Sequence, residues 1–359
     1  MKSHRDYYRQ QFNITQPEII ACFTAHPALE KACDILGITL KKVAYDSKTF
    51  RVNLNYLQQM ITSNTIMMYS SAPNYPMGAI DPIKEMSAIA VKYNIGLHVD
   101  CCLGGFILPF AKRLGYNIPG KNTIILSLSP LLDSSSSSYL LVDFDFGLKG
   151  VTSMSMDTHK YGYALKGTSV VLYRHKELRH AQYFCYGDWP GGLYSTPTLL
   201  GSRSGGLIAQ TWASLMSLGH EGFNQCTKGI MDTTALIHEG LKKIPEIEVL
   251  GDIDAMILCF GMTIESKLNI YMISELMKEK GWLLNAIQQP AAVHFCICNP
   301  NIGHHDRFLT DLKAAIHELQ HSPDKEKKGF AVIYGTTSAM PAGPVNELLK
   351  VYNDVVLKV

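Results

Sequence analysis

Two stretches of this sequence decide its fold, IGLHVDCCLGGF at residues 95–106 and VTSMSMDTHKYGYALKG at residues 151–167. Each begins with a short apolar run that is typical of a buried strand and then changes to polar or glycine-rich residues. The first stretch carries Asp100 at the end of its strand, and the second carries the polar run DTHK at residues 157–160. Ligands of open parallel sheets bind beyond the carboxyl ends of the strands. The two stretches therefore predict a ligand site on a parallel sheet.

The N-terminal half of the chain repeats the order of strand, loop and helix, which predicts βαβ units and a mainly parallel sheet. The expected strands cover residues 18–23, 38–45, 65–72, 95–99, 151–156 and 168–173, and the expected helices cover 27–37, 54–61 and 82–94. Two further strand ends are polar, at residues 24–26 and 70–74. We therefore expect four polar segments to lie near one another at the same edge of the sheet.

The length of 359 residues favours two domains, at about 150 residues per domain. We expect a large domain over residues 1–243 and a smaller C-terminal α/β domain over residues 244–359. Between about 120 and 143 the sequence has a run of five serines and no clean periodicity, which is typical of a loop insertion.

Composition excludes several classes of protein. Hydrophobic residues make up 47% of the chain, charged residues 18%, and the formal charge is +2, so neither disorder nor nucleic-acid binding is favoured. The nine cysteines do not form a recognisable disulfide framework, which favours a reducing compartment. No apolar run reaches the roughly 20 residues that a membrane helix needs. We expect the chain as written to be cytoplasmic, with no membrane span.

A carboxylate at one strand end and a lysine at another predict a cofactor site more than a hydrolytic one. Pyridoxal phosphate (PLP) needs an amine to form a Schiff base and a carboxylate to keep its ring nitrogen protonated, roles that Lys160 and Asp100 fit. We expect Lys160 to lose its proton readily in a dry pocket beside a pyridinium, and His26 to lie flat against the ring. Each residue also has a plain structural reading, as a cap, a turn residue or a solvated charge.

Three longer stretches carry a resemblance to a known family: HVDCCLGGFILPF at 98–110, FDFGLKGVTSMSMDTHKYGYALKGTSVVLY at 144–173, and DWPGGLYSTPTLLGSRSGG at 188–206. With them the sequence resembles the sphingosine-1-phosphate lyases of the PLP-dependent group II decarboxylase superfamily, from about residue 17 to the end. His-Val-Asp occurs throughout that superfamily, whereas the DTHKYGYALKG stretch is far narrower. The resemblance implies an α/β protein of PLP-dependent transferase fold type I, with a mainly parallel sheet in the large domain.

The resemblance implies a role for each cofactor-binding residue that matches. Lys160 is implied to be the Schiff-base lysine, Asp100 the partner of the ring nitrogen, and His26 the residue that stacks on the ring. Thr158 and His159 are implied to line the cofactor.

Further matching residues are implied to act near the substrate. Lys166, six residues after Lys160, is implied to assist catalysis, and Tyr194 to lie near substrate and cofactor. Ser202 lies in a Gly-Ser-Arg stretch that is implied to help shape the phosphate region of the neighbouring subunit. A homodimer with a shared active site is therefore implied.

The implied reaction is a retro-aldol cleavage of a phosphorylated sphingoid base, giving a long-chain aldehyde and phosphoethanolamine. A base must take the proton of the C3 hydroxyl before the C2–C3 bond breaks. His159, Lys160, Lys166 and Tyr194 all remain candidates for that base. Full-length eukaryotic relatives are implied to be anchored in the endoplasmic reticulum membrane with a cytosolic catalytic domain.

The sequence departs from the family pattern in a few places. Cys101 stands where alanine is usual, Leu165 replaces a proline, and the serine-rich insertion is additional. The family also has a glycine-rich GGTES-type segment that binds the cofactor phosphate, and the sequence as given begins after it. We therefore expect this chain to retain PLP weakly.

Three alternative functions stay open at this point. One is an amino-acid decarboxylase with the same fold and cofactor, and another is a catalytically silent paralogue or fragment that acts through dimerisation. The third is a metal site at His294, Cys296 and Cys298, since alternate residues of a strand share a face. A buried sheet face explains that pattern better, and the neighbouring pair His304-His305 adds no recognised metal-ligand spacing.

Overall fold

The computed structural model describes residues 2–116, 143–321, 329–337 and 342–358. The predicted serine-rich insertion falls almost entirely outside these residues. The chain divides into two compact units, Met1–Met231 with Gly251–Met256, and Asp232–Leu250 with Ile257–Val359. Such a grouping does not test where a domain that folds by itself begins, so the boundary at residue 243 stays a prediction.

The first unit is built on a six-stranded sheet in which β1 to β5 run parallel and β6 is antiparallel. This confirms the mainly parallel sheet that the sequence predicts. In spatial order the strands are β2 (Thr39–Val43), β1 (Glu18–Cys22), β3 (Thr65–Ser71), β4 (Gly96–Asp100), β5 (Ser153–Met156) and β6 (Val170–Tyr173). A separate antiparallel hairpin pairs β7 (Phe184–Tyr186) with β8 (Tyr194–Thr196).

Helices α1 to α6 belong to this unit, and α7 begins in it. Their bounds are α1 Lys2–Phe12, α2 Ala28–Leu36, α3 Leu54–Gln59, α4 Ile83–Tyr93, α5 Leu108–Arg113, α6 Lys176–His180 and α7 Gly205–Leu241, with a 3-10 turn at Gly104–Phe106. Helix α7 is kinked at Gly219, whose backbone is not helical.

The second unit contains a four-stranded antiparallel sheet in the order β11, β12, β10, β9. Its strands are β9 Ile247–Leu250, β10 Ile257–Met262, β11 Asn285–Ile287 and β12 Ala292–Cys296. Its helices are α8 Ile270–Glu279, α9 His305–His321, α10 Phe330–Thr337 and α11 Ala342–Val356, with 3-10 turns at Ile264–Ser266 and Asn299–Asn301.

Local sequence signals explain where α2 and α4 end and where α3 begins. Gly37 and Asn94 follow α2 and α4 in the left-handed conformation that stops a helix. The Asn53 side chain accepts hydrogen bonds from the first backbone N–H groups of α3, as its position predicts. The connections between the strands are short, and β1, β3 and β4 run parallel. Their carboxyl ends therefore lie at the same edge of the sheet.

Some elements are not evident from the sequence. Helix α1 has a polar, charged sequence, the hairpin strands β7 and β8 are only three residues long, and β7 is exposed throughout. Strand β11 and helices α10 and α11 are likewise not predicted. Periodicity is informative only where one face of an element is buried, and these elements bury little or are too short to show a period.

All nine cysteines are free, so no disulfide connects the chain. Within the described ranges, no helix combines the length and apolar character needed to cross a bilayer.

A buried ion pair joins segment 251–256 to Arg51, in the loop between β2 and α3. Arg51 Nη2 lies 2.7 and 2.8 Å from the two carboxylate oxygens of Asp254, a side chain that is only 1% exposed. Asp254 also accepts a hydrogen bond from the backbone N–H of Ile80, and Arg51 Nη1 contacts Asp252 at 3.2 Å. The guanidinium therefore satisfies a carboxylate that has almost no access to water.

We expect Arg51→Met to lower the free energy of unfolding by about 3 kcal/mol, because it leaves the Asp254 carboxylate buried without its partner. Urea denaturation measures the change. Lys242→Met is the matched control, since it removes an exposed pair with Glu239 at 3.0 Å and should cost less than about 1 kcal/mol. Equal losses in the two variants would contradict the interpretation.

Candidate active site

The four polar segments expected from the sequence lie along one edge of the six-stranded sheet. Strands β1, β3, β4 and β5 are adjacent and parallel, so residues 24–26 and 70–74, Asp100 and residues 157–160 all lie at carboxyl ends on that edge. Asp100 is paired with Ser71 of β3 on one side and with Ser155 of β5 on the other. The sheet thus places a carboxylate at the centre of the edge.

The Asp100 carboxylate accepts three hydrogen bonds. The Tyr69 hydroxyl donates to Oδ2 at 2.6 Å, while the backbone N–H of Cys102 and the Ser155 hydroxyl donate to Oδ1 at 2.9 and 3.0 Å. The Asp100 side chain is buried, and burial alone favours the neutral acid. These donors nevertheless hold the pKa of Asp100 below its ordinary value. Asp100 is therefore a buried, ionised carboxylate.

Lys160 lies within a short chain of contacts from Asp100. Its Nζ is 2.9 Å from Oδ2 of Asp157 and also interacts with the thiol of Cys102. The backbone N–H of the same Cys102 donates to Asp100. One residue thus joins the amine to the carboxylate, so the structure brings together the two groups on which the cofactor hypothesis depends.

The charge around Lys160 keeps its amine protonated. Burial lowers the affinity of the amine for a proton, but the hydrogen bond with Asp157 and the contact with Cys102 outweigh it, and the pKa of Lys160 lies above its ordinary value. The proton loss that we expect from the sequence needs a second positive charge beside the amine, whereas the nearest charge in this structure is the Asp157 carboxylate.

The ring of His159 has a defined orientation. Its Nδ1 is hydrogen-bonded to the backbone carbonyl of Thr168, and a carbonyl can only accept, so Nδ1 carries a proton. Nε2 is then the nitrogen available to take up a proton, and it lies 3.7 Å from Oδ2 of Asp157.

The turn that carries these residues is tightly packed. A Cβ on Gly162 would approach the Thr158 carbonyl oxygen to 2.5 Å, and Ala164 N–H donates to that same oxygen. Tyr163 has a φ of 57°, a left-handed conformation that is unusual for a bulky residue. Such strain is found mostly where a turn must present side chains in a set geometry.

The remaining residues singled out from the sequence lie in less connected positions. His26 is exposed just beyond β1 and its Nδ1 accepts a hydrogen bond from the backbone N–H of Ala28. Lys166 is exposed in the turn between β5 and β6, and Ser202 is exposed after β8. Tyr194 packs edge-on against Phe184 and Trp189 of its own hairpin. The functional roles of these four residues stay predictions.

Sequence reasoning did not identify Tyr69, His98, Cys102, Ser155 or Asp157 as individual site residues. A signal was present for two of them, since Ser155 and His98 alternate with buried residues along β5 and β4, as Asp100 does. No local pattern marks Tyr69, which approaches Asp100 only because β3 and β4 are neighbours.

Two of the three residues proposed from the sequence as metal ligands, His294 and Cys298, are hydrogen-bonded to other side chains. His294 is fully buried, and its Nε2 is hydrogen-bonded to Asn285 at 3.1 Å. The Cys298 thiol donates to Asn301 at 3.0 Å. Across the described parts of the chain, no three His, Cys, Asp or Glu side chains come together in a group that could hold a metal ion.

The chain is similar to known proteins over nearly its whole length. It is 42% identical over 342 residues to the sphingosine-1-phosphate lyase of Dictyostelium discoideum. That alignment covers 95% of this chain and 59% of the relative. It is 42% identical over 355 residues to the enzyme of the same name from Arabidopsis thaliana, covering 99% and 60%. The chain therefore spans about three fifths of the length of these curated relatives. No protein-family profile matches it.

Solved structures show the same similarity. The sphingosine-1-phosphate lyase of Burkholderia pseudomallei is 38% identical, with a TM-score of 0.78 over 90% of this chain and 68% of that one. The glutamate decarboxylase of Lactobacillus brevis has a TM-score of 0.72 over 91% and 72%, and its 18% identity shows a shared fold alone. The fold class implied by the sequence is confirmed.

We expect Asp157→Asn to lower the pKa of Lys160, because the substitution removes the carboxylate that outweighs burial. A larger fraction of the amine is then neutral at pH 8, and its acylation by acetic anhydride, followed by peptide mass spectrometry, should be several-fold faster than in the unsubstituted protein. Asp143→Asn is the control, since Asp143 contacts Lys112 instead. Equal or slower acylation of Lys160 in Asp157→Asn would contradict the assignment.

Proposed function

The chain belongs to the sphingosine-1-phosphate lyase family, and we propose that it takes part in the PLP-dependent cleavage of phosphorylated sphingoid bases between C2 and C3. The products are a long-chain aldehyde and phosphoethanolamine. The observation that carries this proposal is the linked pair Asp100 and Lys160, a buried carboxylate and an amine joined through Cys102 at the carboxyl edge of β4 and β5.

The residues at this edge fit PLP. The cofactor needs a fixed anion at its ring nitrogen and an amine at its aldehyde carbon, which Asp100 and Lys160 can supply. The Thr158 hydroxyl is buried, and within the described part of the chain it has no hydrogen-bond partner. A buried hydroxyl in this state has capacity for a polar group of a ligand.

Further residues complete the proposed cofactor site. His26 would lie against the ring, and Thr158 and His159 would line the site. Ser202 of the partner subunit would contribute at the phosphate. The exposed position of His26 leaves its ring able to turn toward a bound molecule.

When bound, PLP supplies an electron sink for the pair released as the C2–C3 bond breaks. The chain's own groups do the rest. Asp100 holds a proton at the ring nitrogen by an ion pair, and a base removes the proton of the C3 hydroxyl. His159 is the candidate base whose proton-accepting atom is defined, because Nδ1 is engaged by Thr168. Lys160, Lys166 and Tyr194 remain the other candidates.

A homodimer with a shared site is supported by an exposed apolar surface. Around the β7–β8 hairpin and the start of α7, several large apolar side chains are at least half exposed, namely Trp189, Leu193, Leu199, Leu200, Trp212 and Met216. A surface of this kind is typical of a protein–protein interface. Tyr194 and Ser202 lie on the same segment, so dimerisation through this surface would bring both residues of one subunit to its partner.

The cysteines indicate a cellular location for this part of the protein. Nine free cysteines are typical of a reducing compartment, which supports a cytosolic location for this part of the protein.

An amino-acid decarboxylase would use the same fold and cofactor, but the decarboxylase neighbour shares the fold alone. The reaction assay separates the two, since one activity releases an aldehyde and the other carbon dioxide.

We expect PLP to be captured on Lys160. After incubation with PLP and reduction by borohydride, peptide mapping should find the pyridoxyl group on Lys160, and Lys160→Ala should carry none. Under the same conditions Lys166→Ala should be labelled as fully as the unsubstituted chain. A label on Lys166, with Lys160 unmodified, would show that the amine is assigned wrongly.

Asp100→Asn should retain the fold but lose at least about a hundredfold in aldehyde release from a phosphorylated sphingoid base. A neutral amide cannot hold the ring nitrogen protonated through a charge-assisted bond. Circular dichroism checks the fold and aldehyde trapping checks the turnover. Turnover within a few-fold of the unsubstituted chain would rule out this role.

A shared site predicts that two inactive variants complement each other. Mixing Lys160→Ala with Tyr194→Ala should restore about a quarter of the unsubstituted turnover, because random pairing makes half the dimers hybrid and each hybrid has one intact site. Turnover no greater than the sum of the two variants alone would indicate that each subunit completes its own site.

A further inference from the structure

A hydrogen-bonded network lies behind Asp100 on one face of β3, β4 and β5. It consists of Tyr69, His98, Ser153 and Ser155. Tyr69 pairs with His98 across β3 and β4, His98 pairs with Ser153 across β4 and β5, and Asp100 pairs with Ser155 in the next row. Neighbouring residues of parallel strands point to the same face, so the network and the carboxylate share one side of the sheet.

We propose that Tyr69 is a positioning residue for Asp100, and that Tyr69 and a Ser155 oriented by His98 keep the proton of the Asp100–cofactor contact on the ring nitrogen. The inference rests on the proposed PLP function. It extends that function to side chains that do not touch the cofactor and act on it only through Asp100.

The direction of every hydrogen bond in the network follows from the ionised state of Asp100. A carboxylate only accepts, so the single proton of Ser155 is donated to Asp100 Oδ1 at 3.0 Å. Ser155 Oγ must then accept from His98 Nε2, which lies 3.1 Å away. In a neutral ring Nδ1 is left as an acceptor, and Ser153 Oγ donates to it at 2.8 Å.

His98 is neutral in this arrangement because it is buried. Burial lowers the pKa of His98 to about 4, although Asp100 acts in the opposite direction. The neutral ring with its proton on Nε2 therefore turns the Ser155 hydroxyl toward the carboxylate. A cationic His98 would instead place a full charge beside Asp100.

Tyr69 supplies the shortest bond to the carboxylate. Its hydroxyl lies 2.6 Å from Asp100 Oδ2, and its ring stacks on His98 with centroids 5.1 Å apart and planes at 28°. The stacked imidazole restrains the phenol, so the hydroxyl is held in place before any ligand arrives. Burial and the adjacent Asp100 raise the pKa of the phenol far above its ordinary value, so Tyr69 remains a donor.

The chemical consequence concerns the proton between a carboxylate and a ring nitrogen. In a buried site an unsupported carboxylate becomes more basic and can take that proton, which leaves two neutral groups. Donors on the carboxylate oppose this transfer because they stabilise the anion. With Tyr69, Ser155 and Cys102 N–H all donating, Asp100 stays an anion and the ring stays a cation, which is the form that accepts electrons.

Other titratable groups also lie close to Asp100, and apart from the substituted residue they are unchanged in each comparison below. Besides His98 on its own strand and Tyr69 on β3, the thiols of Cys101 and Cys102 follow it directly, and both are buried enough to stay neutral. Beyond β5, Lys160 and Asp157 form a pair with each other. A change seen only on removing a donor can therefore be attributed to that donor.

The first test needs no cofactor. The protein is labelled with ¹³C at the aspartate side-chain carboxyl carbon, and the Asp100 signal, identified by its loss in Asp100→Asn, is titrated by NMR. Tyr69→Phe and Ser155→Ala should each move the midpoint of Asp100 to higher pH. The control Tyr173→Phe should leave the midpoint unchanged. Tyr173 lines a cavity together with Tyr69, His98 and Ser153, but its hydroxyl donates to Gln182 at 2.6 Å.

The second test uses the protein loaded with PLP that carries ¹⁵N in its ring. The ¹⁵N shift should report a protonated ring nitrogen in the unsubstituted protein and in Tyr173→Phe, and a smaller protonated fraction in Tyr69→Phe. Aldehyde release should show kcat lowered at least about fivefold in Tyr69→Phe, with KM for the phosphorylated sphingoid base within twofold. A residue with a purely structural role would not separate these quantities.

The outcomes distinguish this inference from the proposed function. An Asp100 midpoint that is the same in Tyr69→Phe and Tyr173→Phe overturns the role of Tyr69, whether or not PLP binds. If the midpoint shifts as expected but the protein captures no PLP, the proposed function is overturned, and with it the role of Tyr69 toward the cofactor. A shifted midpoint together with a less protonated ring supports both.

Discussion

The register of β4 between β3 and β5 is the constraint on which the candidate site depends. Backbone hydrogen bonds set Asp100 level with Ser71 on one side and with Ser155 on the other. A shift of one residue would turn the Asp100 side chain to the opposite face of the sheet, away from Tyr69 and Ser155. The loop after β4 then returns through Cys102, whose N–H and thiol reach Asp100 and Lys160 in turn. The arrangement of the site is therefore a property of the sheet rather than of any one loop.

The electrostatics of the site follow from burial that is compensated in two different ways. Asp100 is buried among neutral donors, so its charge is stabilised by oriented dipoles and remains available to a cationic ligand. Asp157 and Lys160 instead neutralise each other directly. Asp157 Oδ2 also lies 3.7 Å from Nε2 of His159. Asp100 can therefore pair with a cationic ligand, whereas Asp157 already has a cationic partner in Lys160.

The strain and the exposed surface of the first unit also fit a site that is completed by other groups. Tyr163 keeps a left-handed backbone, and the close packing of Gly162 on Thr158 leaves no room for a side chain. The β7–β8 hairpin exposes large apolar side chains, and a cluster of this kind is unusual on the surface of a monomeric protein. Both features cost stability in the isolated chain, and both are explained if ligand and partner contacts are made there.

Much of the fold can be predicted from the sequence because its signals are local. The helix caps at Asn53, Gly37 and Asn94 act through the backbone of neighbouring residues. The apolar run that ends in Asp100 indicates both a strand and its polar end. The polar strand ends, and Asp100 and Lys160 as a pair, follow from the same reasoning, since parallel strands share an edge. The amino-acid sequence by itself therefore determined the large sheet, its polar edge and the family.

Only the tertiary structure decided which groups touch at that edge. Tyr69 is 31 residues before Asp100, and Ser155 is 55 residues after it, so no periodicity links them. Their contacts depend on strand order and register, which set distances of a few ångströms that sequence spacing does not encode. The raised pKa of Lys160 is likewise a result of geometry, because the balance between burial and the Asp157 carboxylate changes with the separation of two side chains.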